Sequence, residues 1–287
     1  MEKKLAAAKL NIDELRDLLH TQLLGTGNHL LYRSSIDSTN TEALRIARQG
    51  TAEGVVVLAD NQTAGKGRVG RRWLDLPGGG ALSSTILQPH FPTYLLIMIA
   101  ALAVVDAIKE TCNITATLKW PNDVLIGDRK VAGILIETSH DSTGHMVAVV
   151  GIGINVNGRI DQLVGADQLL ATGLEESATT LEMACGDVVS REQLIARLLE
   201  NLELHYLTLQ REAQDPLAST YGVAARTIRA RWRDQLSTLG RAIEVRQGES
   251  VLSGVAEDVN DKGELLLRCH SGKQVSITWG DIGYPTG

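Results

Sequence analysis

The sequence predicts an α+β fold, in which a larger domain with a mixed β-sheet and helices is followed by a small all-β unit. Apolar runs of strand length alternate with amphipathic helical patterns along most of the 287 residues, which is typical of a sheet covered by helices. Beyond residue 238 the pattern changes to short strands separated by glycine-containing turns, which favours a small β-barrel. We therefore expect a helical segment at 1–25, a larger domain at 26–237 and a barrel at 238–287.

Capping residues, hydrophobic periodicity and turn signals predict the elements in order. In the N-terminal segment, Asn11 caps a helix whose leucines share one face, and Gly25 ends it. The larger domain is predicted to contain strands at 29–36, 54–60, 80–88, 115–120, 124–126, 130–138 and 146–157, helices at 37–50, 93–112 and 190–211, and a weakly patterned stretch at 166–187. The barrel strands are predicted at 242–247, 251–258, 264–270 and 274–279.

Composition and charge indicate a globular cytoplasmic protein rather than a nucleic-acid or membrane protein. The chain is 44% hydrophobic and 22% charged, and its formal net charge of -6 argues against a broad basic face for DNA. The longest apolar run, at 94–105, is shorter than the roughly 20 residues that span a bilayer, and we interpret it as a buried core helix. No apolar signal sequence is visible at the N-terminus. The 3 cysteines are scattered without a C-x-x-C pattern, which fits a reducing compartment and predicts no cysteine metal site.

The stretch at 61–80 is the most unusual part of the sequence, because glycines and cations fill half of it. Glycine lets backbone N–H groups approach an anion, and lysine and arginine supply positive charge. We therefore interpret this glycine–arginine loop as a mobile loop that closes over a phosphate or carboxylate. Gly65, Gly67 and Gly70 match the dinucleotide-binding G-x-G-x-x-G pattern, but no helix follows them before Pro77. A solvated linker is the alternative.

Residues 37–42, Asp-Ser-Thr-Asn-Thr-Glu, place three hydroxyls and an amide at the predicted N-terminus of a helix. Thr39 and Glu42 have the spacing of a capping box, so helix capping is the ordinary explanation for this polar cluster. The alternative is that the hydroxyl and amide groups form hydrogen bonds with the polar head of a ligand.

Two further polar clusters stand at predicted strand ends, Lys-Trp-Pro-Asn-Asp at 119–123 and Arg-Lys-Val-Ala-Gly-Ile-Leu at 129–135. Lys130 begins an otherwise apolar strand, a position often taken by a solvated lysine at the rim of a sheet. Gly133, three residues later, removes a side chain beside it, which instead favours the floor of a pocket. The residues alone leave both interpretations open.

Together, and in this order, five segments resemble the biotin protein ligase family. They are Asp-Ser-Thr-Asn at 37–40, Gln-Thr-Ala-Gly-Lys-Gly-Arg-Val-Gly-Arg at 62–71, Lys-Trp-Pro-Asn-Asp at 119–123, Arg-Lys-Val-Ala-Gly-Ile at 129–134 and Gly-Ile-Gly-Ile-Asn at 151–155. The resemblance runs from the first predicted strand to the end of the chain. It implies that 26–237 is a catalytic domain and that the C-terminal barrel is SH3-like.

The resemblance implies a ligase reaction in two steps. Biotin and MgATP first give biotinyl-5′-AMP and pyrophosphate. A lysine of the biotin carboxyl carrier protein of acetyl-CoA carboxylase then attacks the mixed anhydride and expels AMP. ATP and biotin are thus the expected substrates, and Mg²⁺ is the expected metal. Since two anions must meet in the first step, cations are needed to offset their repulsion.

The resemblance also assigns candidate site residues. Arg68 and Lys130 would supply the catalytic positive charge. Biotin would be held by Ser38, Thr39, Asn40, Gln62, Gly65, Lys66, Gly67, Arg68, Lys130 and Gly133. The nucleotide would contact Arg71, Trp73, Lys119, Asn122, Asp123 and Asn155, with Asp123 nearest to the magnesium ion. Closure of the glycine–arginine loop would keep the labile anhydride away from water.

Two departures from the family pattern and one alternative bear on the expected function. Lys66 stands where the family usually has arginine. Because lysine cannot form the bidentate contacts of a guanidinium group, the loop is expected to hold the intermediate differently. The segment at 1–25 is too short for the DNA-reading helix-turn-helix of some members, so we expect a ligase without repressor activity. A lipoate or octanoate ligase or transferase is the alternative, although its pattern lacks the loop followed by Lys-Trp-Pro-Asn-Asp. A homodimer is left open, since family members often dimerise through sheet edges.

Overall fold

The computed structural model describes residues 9–50, 53–162, 177–215 and 222–285. Of the weakly patterned stretch predicted at 166–187, the part up to residue 176 lies outside the described residues, as do residues 1–8 of the predicted N-terminal segment. Among the helices in the described ranges, none is long and apolar enough to cross a membrane.

The larger domain is built on a seven-stranded sheet. Its strands are β1 (Leu30–Arg33), β2 (Val56–Ala59), β3 (Gly80–Leu87), β4 (Thr117–Lys119), β5 (Asp123–Ile126), β6 (Arg129–His140) and β7 (Met146–Asn155). Their order in the sheet is β1-β2-β3-β7-β6-β5-β4. The pair β1–β2 is parallel and the other neighbouring pairs are antiparallel, so the predicted mixed sheet is confirmed.

Helices cover the two faces of this sheet unequally. The helices of the described residues are α1 (Ile12–Leu18), α2 (Thr39–Arg48), α3 (Tyr94–Cys112), α4 (Leu181–Cys185), α5 (Arg191–Gln214) and α6 (Val223–Asp234). Val57 and Val149 pack in one cluster with α2, whereas their neighbours Val56 and Val150 pack in another with α3 and α5. This alternation follows from the period of two in a strand. Because α2 has only 10 residues, part of its face of the sheet is left for other groups.

The two long helices follow their sequence patterns. The apolar run predicted as a core helix is α3, and most of its residues are buried. In α5 the predicted stripe from Leu194 to Tyr206 is buried at each of its helical steps. Ser190 caps this helix as predicted, because its hydroxyl oxygen accepts the backbone N–H of Gln193 at 3.1 Å. These helices form the larger of the two cores.

The N-terminal helix is shorter than predicted. Asn11 caps α1 as expected, with its side chain accepting the backbone N–H of Glu14 at 3.2 Å, but the helix ends at Leu18 rather than near Gly25. The chain beyond it turns so that three successive backbone N–H groups, from Gln22 to Leu24, donate to the carboxylate of Glu203 on α5 at 2.7–2.8 Å. Three hydrogen bonds to one buried carboxylate stabilise this turn more than a continued helix would be stabilised by its apolar periodicity.

The C-terminal unit is a five-stranded antiparallel sheet that packs on the larger domain. Its strands are β8 (Ala242–Gln247), β9 (Ser250–Val259), β10 (Leu265–Cys269), β11 (Gln274–Ile277) and β12 (Asp281–Gly283), in the order β11-β10-β9-β8-β12. The indole N–H of Trp120 donates to the carbonyl of Gly263 at 2.9 Å across this contact. The first four strands were predicted, and β12 was not. The SH3-like form of this unit and the domain boundaries stay predictions.

Helix α6 was also missed from the sequence. Its arginine-rich stretch looks like a basic surface, and only Ile228 and Trp232, one turn apart, are buried. Two apolar positions are too few for a clear helical period. The helix is nevertheless fixed at its start, because the carboxylate of Glu212 accepts the backbone N–H groups of Ala224 and Ala225 at 2.7 and 3.0 Å.

Candidate functional site

A pocket of about 130 Å³ lies on the α2 face of the seven-stranded sheet. The start of α2, the glycine–arginine loop, the strands β5 to β7 and the start of β12 surround it. Most of the predicted site residues line it, namely Ser38, Thr39, Asn40, Gln62, Lys66, Gly67, Arg68, Arg71, Trp73, Asn122, Asp123, Lys130 and Gly133. Segments far apart in the sequence are thus brought together, and their individual roles stay predictions.

The hydroxyl and amide side chains at the start of α2 are tied to the sheet. Gln62 Oε1 accepts the backbone N–H of Thr39 at 2.8 Å and its hydroxyl at 3.1 Å. Ser84 Oγ lies 2.8 Å from Thr39 Oγ1 and 2.6 Å from Asn40 Oδ1. Asn40 Nδ2 donates to Glu137 at 2.9 Å. These five residues, the hydroxyl–amide cluster, form a connected set of hydrogen-bonding groups. Thr39, Asn40 and Gln62 line one end of the pocket, and Ser84 and Glu137 are hydrogen-bonded to them.

The capping explanation for Thr39 and Glu42 is wrong. Ser38 occupies the N-cap position of α2, and within the described residues it makes no side-chain capping hydrogen bond. Glu42 forms a salt bridge with Arg45 at 2.7 Å instead. Thr39 is 4% exposed, and its hydroxyl forms hydrogen bonds with Ser84 of the sheet and with Gln62. Thr39 and Glu42 therefore do not cap the helix. The interpretation as a wall that faces a ligand is therefore favoured.

Glycines on β6 and β7 make the floor of the pocket. A Cβ atom on Gly133 would come within 2.9 Å of the Trp73 ring and 3.2 Å of Lys130 Nζ, and one on Gly153 within 2.7 Å of the same ring. A Cβ atom on Gly151 would overlap the side-chain amide of Asn40. The space that these glycines leave over the sheet is thus filled by three of the pocket's own side chains, Trp73, Lys130 and Asn40. This geometry supports a pocket position for Lys130 rather than a solvated rim.

The glycine–arginine loop folds back on itself above this floor. Trp73 N–H donates to the Gly65 carbonyl at 3.0 Å, and Gly67 N–H donates to the Arg71 carbonyl at 2.8 Å. A Cβ atom on Gly65 would lie 2.6 Å from the Trp73 carbonyl oxygen, so the close approach of the two arms requires glycine. At the tip, Val69 has a φ of 52°, which a β-branched residue rarely adopts. The predicted mobility of the loop stays a prediction.

Three cations of the pocket are paired with carboxylates, whereas Arg68 and Arg72 donate to neutral oxygens. The pairs are Lys130 Nζ–Asp123 Oδ1 at 2.6 Å, Arg71 Nη2–Asp281 Oδ2 at 2.6 Å and Lys66 Nζ–Glu137 Oε1 at 3.5 Å. Arg68 Nη1 instead donates to the neutral amide oxygen of Asn122 at 3.0 Å. Burial lowers the pKa of the Arg68 guanidinium from its usual value, which reflects partial loss of its hydration. A poorly hydrated cation beside a neutral partner is well prepared to receive an anion.

Three predicted residues do not line the pocket. Gly65 lies behind the loop against Trp73. Lys119 faces the C-terminal unit, with its Nζ 5.0 Å from the centre of the Tyr284 ring, and burial lowers the pKa of its ammonium group. Asn155 donates to the carbonyl of Thr179 at 3.1 Å. The predicted ligand roles of Gly65, Lys119 and Asn155 thus receive no support from this geometry.

Other residues belong to the site and were missed. Ser84 is fully buried on β3 between the buried Ser83 and Thr85, and this run of three hydroxyl residues within a strand is a signal that the sequence did carry. Arg72 lines the pocket, and its guanidinium donates to the Thr63 carbonyl at 2.9 Å. Asp281 lines the pocket from 210 positions beyond Arg71, and no local pattern could have revealed it.

The sequence matches two families, one within each of the two parts of the fold. Residues 32–155 match the Biotin/lipoate A/B protein ligase family, and residues 238–282 match the Biotin protein ligase C terminal domain. A biotin–[acetyl-CoA-carboxylase] ligase from Paracoccus denitrificans is 36% identical over 247 residues, which cover 83% of this chain and 94% of the relative. The chain belongs to the biotin protein ligase family. The resemblance carried by the five segments is therefore confirmed.

Two further relatives agree with this membership of the biotin protein ligase family. A biotin–[acetyl-CoA-carboxylase] ligase from Mycobacterium tuberculosis is 32% identical over 275 residues, which cover 92% of this chain and 93% of the relative. The structure of the Aquifex aeolicus biotin protein ligase in complex with biotin and ATP matches with a TM-score of 0.71 and 28% identity, covering 88% of this chain and 97% of that chain. The predicted α+β ligase fold is confirmed.

Proposed function

We propose that this biotin protein ligase family member activates biotin with ATP to biotinyl-5′-AMP. It then transfers the biotinyl group to a lysine of the biotin carboxyl carrier protein of acetyl-CoA carboxylase. The observation that carries the proposal is one pocket in which Thr39, Asn40 and Gln62 of the hydroxyl–amide cluster stand beside Arg68 and Lys130. One end of this pocket suits a neutral polar head group, and the other suits a phosphate.

At the first end, the hydroxyl–amide cluster with Ser38 would hold the ureido ring of biotin. A ureido group presents two N–H donors and one carbonyl acceptor, so its site must supply both acceptors and donors. Asn40 and Gln62 carry both kinds of group, and Thr39 adds a hydroxyl. The chain of biotin would pass over Gly133, and its carboxylate would meet Lys66, Gly67, Arg68 and Lys130.

The first chemical step joins two anions. A carboxylate oxygen of biotin forms a bond to the α-phosphorus of ATP, and the bond from that phosphorus to the bridging oxygen breaks as pyrophosphate leaves. Arg68 and Lys130 would offset the repulsion of the anions and the charge that develops at phosphorus. In the second step the carrier amine attacks the acyl carbon, AMP leaves with the anhydride oxygen, and the proton of the amine passes to solvent.

For the nucleotide we retain Arg71, Trp73, Lys119, Asn122, Asp123 and Asn155 as candidate contacts. Support is greatest for Arg71 and Trp73, which line the pocket and offer a guanidinium fork for phosphate and an indole surface for a base. It is weakest for Lys119 and Asn155, which would need to move or act through their neighbours.

The carboxylate of Asp123 fits a Mg²⁺ ion that enters the pocket bound to ATP. The described residues contain no group of three or more side chains that could hold a metal ion by themselves. Mg²⁺ is commonly bound by one or two carboxylates together with substrate phosphates and water. Asp123 would provide such a carboxylate, and the bound ion would neutralise part of the triphosphate charge.

Exchange of labelled pyrophosphate into ATP tests the proposal directly. The purified protein should catalyse exchange that depends on biotin, and it should biotinylate a carrier domain. Exchange with lipoate or octanoate and none with biotin would establish the alternative activity of the wider family. The match of residues 238–282 to the Biotin protein ligase C terminal domain favours biotin.

The setting of the reaction is also part of the proposal. The relatives named as biotin–[acetyl-CoA-carboxylase] ligases support a carboxyl carrier partner, and we place the reaction in the cytoplasm. The oligomeric state is left open, and light scattering after size exclusion would distinguish a monomer from a homodimer through sheet edges. A mobility-shift assay near physiological salt, with biotin and ATP present, should show no sequence-specific DNA binding. A tight, sequence-selective complex there would contradict this expectation.

A further inference from the structure

An ion pair joins the glycine–arginine loop to the C-terminal sheet at the edge of the pocket. Arg71 Nη2 lies 2.6 Å from Asp281 Oδ2, and both residues line the pocket. Asp281 begins β12 and stands opposite Arg246 of β8 in the antiparallel pair. The C-terminal unit therefore contributes a charged group to a site that is otherwise made by the larger domain.

The position of Asp281 is unexpected for a site that receives a polyanion. A carboxylate beside a bound triphosphate is repelled by it, and it also neutralises the cation that the phosphate needs. The side chains of Arg71 and Asp281 are 64% and 33% exposed, and ion pairs with such exposure contribute little free energy. A bidentate arginine–phosphate contact is stronger, so a phosphate group can displace this carboxylate.

The surroundings of β12 keep Asp281 in place when its partner leaves. The Tyr284 ring, just beyond β12, has Arg241 Cζ 3.7 Å and Lys119 Nζ 5.0 Å from its centre. These cation–π contacts hold the end of the chain on the larger domain. On the other side of the pair, Arg71 belongs to a loop tip that contains the left-handed Val69. Of the two partners, Arg71 has the more exposed side chain, 64% against 33% for Asp281, so we expect its side chain to be the one that moves.

We propose that Asp281 is an exchangeable counter-ion for Arg71. In the ligand-free protein it holds Arg71, and with it the returning arm of the glycine–arginine loop, against the C-terminal sheet. Binding of ATP replaces the Asp281 carboxylate by a phosphate and so releases the loop from this sheet. The inference rests on the proposed function, because it takes ATP as the ligand, and it assigns Asp281 a positioning role that acts through Arg71.

The test compares Asp281→Asn with Asp258→Asn. Asp258 is a matched control, because its carboxylate also pairs an arginine of the larger domain, Arg233, at 2.6 and 3.1 Å, and it does not line the pocket. The Michaelis constants for MgATP and for biotin are measured by pyrophosphate exchange. Asp281→Asn should lower KM for ATP by about 3- to 10-fold and leave KM for biotin within about 2-fold. Asp258→Asn should change neither constant.

A second measurement does not depend on activity. Hydrogen exchange of the ligand-free variants, read by mass spectrometry, should be faster over residues 66–74 in Asp281→Asn than in Asp258→Asn or the wild type. Equal exchange over these residues would overturn the proposal, and so would an ATP KM that is unchanged or raised. If the wild type shows no biotin-dependent exchange, the proposed function fails, whereas the hydrogen-exchange result still decides whether Asp281 holds the loop.

Discussion

Different kinds of interaction fix the side chains at the two ends of the pocket. At the proposed biotin end, Thr39 and Asn40 are each 4% exposed, and side chains of the sheet fix their polar atoms. At the proposed nucleotide end, Arg71 is largely exposed, and a salt bridge with Asp281 holds it. A buried network keeps its geometry before a ligand arrives, because each polar atom requires its partner. An exposed ion pair is weak and can be exchanged for a ligand.

This difference suits the two proposed substrates. A neutral ureido ring can be selected only by shape and hydrogen bonding, so its site must be rigid in advance. A triphosphate is attracted by charge over a longer range, and a loop that rearranges around it can also exclude water. The glycines of the pocket floor also belong to different ends, since Gly151 lies under Asn40 and Gly153 lies under Trp73. Substitutions at the two ends should therefore affect the two substrates separately.

The largest effect is expected from Lys130→Ala, which removes a cation from the place where the two ends meet. Formation of biotinyl-AMP should slow by about 100-fold or more, as for the loss of one electrostatic stabiliser. Stability should fall by less than about 1 kcal/mol, because partly exposed ion pairs such as Lys130–Asp123 contribute little. Single-turnover formation of the adenylate and urea unfolding check the two statements. Lys109→Ala, on the exposed end of α3, is the control. A near-normal rate would mean that Lys130 is a solvated lysine at the rim of the sheet.

Arg68→Gly should separate making the intermediate from holding it. Arg68 donates to the neutral Asn122, so its charge is available for the phosphate or carboxyl oxygens of biotinyl-AMP, a contact of about 1.5–3 kcal/mol. Its loss should speed dissociation of the intermediate by about 10- to 100-fold. Lys130 remains, so part of the adenylate synthesis should survive. Free biotinyl-AMP would then label lysines of serum albumin added to the reaction.

The control for this experiment is Arg72→Gly. It loosens the same loop by the same substitution, but the guanidinium it removes donates to the Thr63 carbonyl instead. If both variants label albumin equally, flexibility of the loop rather than the Arg68 contact explains release. If Arg68→Gly makes adenylate and retains it as tightly as the wild type, Arg68 is not a retaining residue.

The two floor glycines offer a direct comparison of the ends. In Gly151→Ala the new methyl group would displace the Asn40 amide, and KM for biotin should rise by about 10-fold, the effect of losing one or two hydrogen bonds. In Gly153→Ala it would come within 2.7 Å of the Trp73 ring. There KM for ATP should rise by about 5-fold, since overpacking shifts the ring. Steady-state kinetics with each substrate varied measures both. Equal effects on both substrates in both variants would contradict a division of the floor.

How much of this site could be predicted depended on whether its signals were local. The glycine–arginine loop, Lys130 and Gly133 were recognisable because composition and spacing within one segment carry the information. The capping explanation for Thr39 failed, because a buried serine on a neighbouring strand competes for its hydroxyl. Asp281 and Glu137 enter the site through sheet register and domain packing, which depend on distant residues. Local patterns therefore identified the loop and the cations, and tertiary contacts decided their partners.

The smallest effect concerns Asp75, which lies on the returning arm of the loop and does not line the pocket. Its Oδ2 accepts the backbone N–H of Gln62 at 3.3 Å, and burial raises the pKa of its carboxyl from 3.8 to about 6. The folded protein thus holds this proton more tightly than the unfolded chain does. Stability from this group is greatest below pH 3.8, decreases as the pH rises towards 6, and stays reduced above that value.

Asp75→Asn keeps an oxygen for the Gln62 N–H and removes the charge at every pH. The melting temperature of this variant, relative to the wild type, should therefore increase between pH 5 and pH 7.5, by about 1–3 °C. Differential scanning calorimetry over this range measures the difference, and Asp13→Asn, on the exposed first turn of α1, controls for a general charge effect. A difference that does not change with pH would mean that the Asp75 carboxyl is ionised in the folded protein over this whole range. The returning arm would then carry a full negative charge near Trp73 at every pH at which the ligase works.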